Sequence, residues 1–132
     1  LLSKLTVFDG ELEARLQVAS RYDQALSACP DIIVPTVPQN YRSAYSQYTI
    51  RVEHRDGVRQ LLTESGVPTA VHYPLPITSQ KAFLDGSIRV PVASKLASSV
   101  LSLPMHPYLS ESDQSHVIDV LLSSVRTLKK ES

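Results

Sequence analysis

The sequence predicts an α/β (α+β) fold, with helices packed on a small sheet of about three strands. Three observations predict it. Apolar residues recur at helical spacing near both ends of the chain, strict two-residue alternation appears at 48–52, and helical and extended patterns then follow one another. The expected order is helix, strand, helix, strand, helix, strand, helix. The direction of the strands is not legible from this pattern.

The first helix rests on Leu5, Leu12, Leu16, Ala19, Tyr22 and Leu26, which share one face. Gly10 weakens the pattern, so a kink is expected near Asp9. The helix is expected to stop before Cys29, because a residue preceding proline disfavours helical geometry. Residues 27–44 carry Pro30, Pro35 and Pro38 and read as irregular, with "DIIV" a short strand inside them. In "YSQYTIRV", Tyr48, Ile50 and Val52 face one way, and Gln47, Thr49 and Arg51 the other.

"RDGVRQLLTESG" reads as a helix with Val58, Leu61 and Leu62 on its apolar face and Gly66 as its stop. "TAVHY" reads as a strand that Pro74 ends, since proline has no N–H to give a ladder. "TSQKAFL" reads as a helical turn and "DGS" as a turn. Pro91 suits the first position of a helix in "PVASKLASSV", and "VLSLP" reads as a strand. Ser110 caps the last helix, with Asp113 three residues on. Val117, Val120, Leu121, Val125 and Leu128 form its buried stripe, and Arg126, Lys129 and Lys130 suit its carboxyl end.

The chain has 132 residues and suits one domain. Thirteen basic side chains balance thirteen acidic ones, so no electrostatic footprint for nucleic acid is present. Cys29 is the single cysteine, which points to a reducing cytoplasm. The first residue is Leu1, inside a helical pattern, and the expectation is a piece of a longer protein.

Chemistry-bearing residues are few. His72 and Tyr73 close the "TAVHY" segment, and "PLP" holds the following chain extended. A histidine and a phenol are partners for a phosphate or a sugar hydroxyl. The residues alone favour a blander reading, a surface histidine beside a half-buried core tyrosine. In "LPMHPYL" the favoured reading puts Met105 and Tyr108 in the core, with His106 solvated. No histidine pair has metal-ligand spacing, and Cys29 has no second thiol, so no metal site is expected. No nucleophile elbow, Walker loop or dinucleotide fingerprint occurs. Cys29 reads as a small buried hydrophobe.

Taken in order, "FDGELEARLQVASRYDQAL", "AYSQYTIRV", "LLTESGVPTAVHYPLPITSQKAF" and "VPVASKLASSVLSLPMHPYLS" resemble the C-terminal part of the DegT/DnrJ/StrS family of pyridoxal-phosphate-dependent sugar aminotransferases. The likeness runs from Leu1 to about Val125, and it is greatest to bacterial members that aminate 3-oxo, UDP-linked acetamido sugars for surface polysaccharide. The resemblance implies the small C-terminal domain of a fold type I enzyme over residues 29–132, with 1–28 as the helix leading into it. It implies that the cofactor, pyridoxal 5'-phosphate, is carried by a lysine of a large domain upstream. None of Lys4, Lys81, Lys95, Lys129 and Lys130 matches that lysine's motif, so this piece is expected to be inactive alone. It further implies glutamate as amino donor, a homodimer, and His72 and Tyr73 as substrate-binding residues that approach the nucleotide sugar. One departure is Lys81 after Gln80, where the family commonly has proline. The rivals are a stand-alone α/β binding or interaction module without catalysis, and a relic whose rim is only structural. As a fragment cut from a larger partner, the piece is expected to leave Leu1, Leu2, Val7 and Phe8 bare.

Overall fold

Helix α1 (Leu2–Leu26) opens the computed structural model, which describes residues 2–83 and 88–130. The expected kink is not there. The helix runs unbroken through Gly10, because one exposed glycine weakens a helix by only about 1 kcal/mol. Only its second half is buried, at Val18, Ala19, Tyr22 and Leu26. Leu2, Leu5, Val7 and Phe8 in the first half are exposed.

Strand β1 (Ile32–Ile33) lies within the proline-rich stretch, and β2 (Tyr48–Val52) follows. Helix α2 (Arg55–Glu64) turns at Gly66, whose φ of 77° is the left-handed conformation that glycine adopts without strain. Two 3₁₀ turns occupy Ile77–Ser79 and Lys81–Phe83, in place of the single helical turn expected there. The "DGS" turn lies outside the described residues. Helix α3 (Pro91–Ser99) begins on Pro91 as expected, β3 (Val100–Leu103) follows directly, and α4 (Glu111–Lys130) closes the chain. Ser110 Oγ accepts from the Asp113 backbone N–H at 3.1 Å and donates to the Asp113 carboxylate at 2.6 Å.

The sheet has the order β1-β2-β3, and both pairs are antiparallel. The alternation in β2 is as expected: Tyr48, Ile50 and Val52 are buried. With Leu101 and Leu103 they form the inner face, which meets Tyr22 and Leu26 of α1, Val58 and Leu62 of α2, and Val117, Leu121 and Val125 of α4. A Cβ on Gly57 would sit 3.0 Å from the Leu128 side chain, so the glycine lets α2 approach α4 closely. Thr49, Arg51, Val100 and Ser102 fall on the outer face, which α3 flanks beside Ile33 and Arg51 across a groove of about 330 Å³.

The "TAVHY" strand is a correction. Ala70 pairs with Ser102 through two backbone hydrogen bonds of 3.1 and 2.8 Å, and nothing longer forms. Continuing that register would pair residue 68 with residue 104, and both are prolines without an N–H. Pro74 closes the other side. One bridge therefore pins this segment to the free edge of β3.

Candidate functional site

The single bridge decides where His72 and Tyr73 point. In a full strand their side chains would alternate across the sheet. Released from the ladder after Ala70, both residues are exposed, Tyr73 at 79%, and both border one small cleft on the outer face. The half-buried core tyrosine of the blander reading is therefore not what the fold contains. Among the described residues, neither ring has a hydrogen-bond partner.

The cleft has a volume of about 50 Å³, and Gln47, Thr49 and Ser102 also border it. Thr49 and Ser102 are register partners on β2 and β3, and their hydroxyl oxygens lie 2.8 Å apart. Beside Ala70, the Thr69 Oγ1 is buried and has no hydrogen-bond partner among the described residues.

The "LPMHPYL" segment departs from expectation in one residue. Met105 packs against the core and His106 is exposed, as read from the sequence. Tyr108, however, is 75% exposed and donates its hydroxyl to Glu11 of α1 at 2.6 Å. That bond holds the Glu11 carboxyl below its usual range and the Tyr108 phenol above its own. His116, on α4, lies 3.2 Å from the Ser65 carbonyl oxygen and does not border the cleft. Cys29 is only half-buried, against the edge of the core.

Sequence reasoning passed over three polar residues that hold the scaffold of the site. Arg55 is buried and donates to the Ala97 and Val100 carbonyls at 3.3 and 3.1 Å, tying α2 to the junction of α3 and β3. Gln114 is buried between α1 and α4, where it donates to the Val18 carbonyl at 2.8 Å and accepts from Arg21 at 2.6 Å. Arg15 donates to the carbonyls of Tyr45 and Met105 at 3.1 and 3.4 Å. Each of these bonds joins residues distant in sequence, so no local pattern announces it.

Comparison with known proteins adds a family. The model of the DegT/DnrJ/EryC1/StrS aminotransferase family matches residues 1–122. The chain belongs to this family. It is 46% identical over 109 residues to the UDP-2-acetamido-2-deoxy-3-oxo-D-glucuronate aminotransferase of Pseudomonas aeruginosa, an alignment covering 83% of this chain and 30% of that protein. It is 34% identical over 110 residues to a UDP-N-acetyl-3-dehydro-alpha-D-glucosamine 3-aminotransferase of Acidithiobacillus ferrooxidans, covering 83% and 30%. Among solved structures, a family aminotransferase from Brucella abortus superimposes with a TM-score of 0.85 at 41% identity, covering 95% of this chain and 34% of that one. The aminotransferase TlmJ of Streptoalloteichus hindustanus superimposes at 0.89 with 29% identity, covering 96% and 35%. The mixed α/β fold with its three-stranded antiparallel sheet is thus the fold of part of these aminotransferases. The chain spans about a third of the length of the relatives it matches.

Proposed function

We propose that this chain is the small, substrate-facing part of a pyridoxal-phosphate-dependent aminotransferase that aminates a 3-oxo, UDP-linked acetamido sugar. In this reading residues 29–132 are the small domain and 1–28 the helix leading into it. The single observation that carries the substrate class is the 46% identity to an enzyme named for such a substrate, against 32% to a dTDP-sugar transaminase of Streptomyces venezuelae. Glutamate is the amino donor, a homodimer is the assembly, and the product serves surface polysaccharide in the cytoplasm. No described helix is long and apolar enough to cross a membrane.

In this reading the holder of the cofactor is not among these residues. All five lysines are exposed, Lys4 and Lys129 are paired with Glu11 and Asp31, and none borders the His72–Tyr73 cleft. When bound in the whole enzyme, pyridoxal phosphate supplies an electron sink for amino-group transfer. Its holder lies outside these residues, and the role of this chain is positioning.

His72 and Tyr73 perform that role as ring donors to oxygens of the nucleotide sugar. Holding the substrate in one pose raises the effective concentration of its reacting carbon without any bond to these residues. Their exposure and lack of internal partners support the reading, because both rings are available to a ligand. In the whole polypeptide that carries this chain, His72→Ala is expected to weaken nucleotide-sugar binding about tenfold, the worth of one good hydrogen bond. The visible absorbance of the bound cofactor should stay unchanged. A variant that loses the absorbance, or one that binds the sugar nucleotide as the parent does, sinks the assignment.

A further inference from the structure

The floor of the cleft holds a feature that the two rings do not account for. Thr49 is half-buried and Ser102 is only 5% exposed, and their hydroxyls meet at 2.8 Å. Two hydroxyls carry two protons, and a hydrogen bond between them uses one. Whichever oxygen donates, the other keeps an O–H that needs an acceptor. Among the described residues, neither hydroxyl has another partner. Because the pair borders the cleft, that O–H is available to a ligand there.

The surroundings say what kind of acceptor would complete it. Gln47, His72 and Tyr73 border the same cleft, and no lysine or arginine does among the described residues. A diphosphate would call for such a cation. The cleft is small, about 50 Å³, and with no cation on it suits a neutral acceptor such as an amide carbonyl.

We propose that Thr49 and Ser102 form a positioning pair that donates its spare proton to the acetamido carbonyl oxygen of the sugar held by His72 and Tyr73. This rests on the functional reading above. It adds the floor to the rim and makes the pair a reader of the sugar and not of the nucleotide. The backbone supports this role. Thr49 is fixed by the β2–β3 register, and Ser102 is gripped on its other edge by Ala70, two residues before His72. A shift of the rim is thereby a shift of the floor.

Calorimetric titration of the whole polypeptide tests it, with UDP-N-acetylglucosamine and plain UDP as probes. Thr49→Val keeps the shape and removes the hydroxyl. It is expected to bind UDP-N-acetylglucosamine about tenfold more weakly and to bind UDP unchanged, with the urea midpoint read alongside as the check on the fold. Thr49→Ser, which restores the hydroxyl, should restore the affinity. If the valine variant lowers the midpoint, Ser102→Ala replaces it, with the same direction expected on the two probes. Unchanged affinity in both hydroxyl variants, beside a weakened His72→Ala, overturns the pair while the functional reading stands. An equal loss on UDP overturns the sugar assignment. A parent polypeptide that binds neither probe overturns the functional reading, and the inference with it.

Discussion

Thr69 shows how much one atom decides. Its Oγ1 is buried without a partner among the described residues, while its neighbour Ala70 makes both bonds of the bridge to Ser102. Such a hydroxyl has given up water for nothing, at a cost of about 1–3 kcal/mol. Thr69→Val should therefore leave the fold unharmed or raise its unfolding free energy by up to about that amount, read from urea titration. A clear loss of stability would show that the hydroxyl has a partner. Sequence could not reveal this, because threonine at a segment end reads the same whether its hydroxyl is wet or dry. Arg55 makes the same point from the charged side. It looks like an ordinary helix-start residue, yet it is buried and carries two carbonyls of a distant junction.

Elements were more legible where their signals are local. The start of α4 is written in Ser110 and Asp113, three residues apart, and the structure joins them as a cap. Ser110→Ala should cost about 1 kcal/mol in chemical denaturation, the usual worth of an N-cap. Asparagine at the same position should recover most of it. The stop of α2 at Gly66 and the alternation of β2 were equally plain, since a left-handed turn and a two-residue period depend on neighbours alone. The "TAVHY" segment failed for the opposite reason. Its composition favours a strand, but a strand needs a partner whose donors fall in register, and Pro68 opposite Pro104 removes them. On the other side Pro74 ends the segment, and His72 and Tyr73, outside the ladder, border one cleft.

Across the whole molecule the core is organised around two tyrosines. Tyr22 of α1 and Tyr48 of β2 are fully buried with ring centroids 4.8 Å apart. Their hydroxyls donate to the Pro104 carbonyl at 2.9 Å and to the Asp23 carboxylate at 2.5 Å. Burial raises the pKa of both phenols, and for Tyr48 the bond to Asp23 adds to it. Above about pH 10 the unfolded chain ionises these phenols while the folded one keeps them neutral. The unfolded state then binds fewer protons, so stability falls as pH rises, by about 1.4 kcal/mol per pH unit for each phenol. Their contribution is complete below pH 10. Urea unfolding between pH 9 and 11 should show this decline, and Tyr22→Phe should make it shallower. A variant with the parent's slope would count against the buried phenols as its source.

Sequence by itself determined the period of each helix, the caps, the alternation of β2, the α/β class and the family likeness that the comparisons bear out. These are properties of near neighbours or of order along the chain. Tertiary structure alone decided that the sheet is antiparallel and that Tyr108 turns outward to Glu11. It also decided that Thr49 meets Ser102 beneath His72 and Tyr73. Those contacts join positions tens of residues apart, and their geometry is set by strand register and helix packing, which no local pattern encodes.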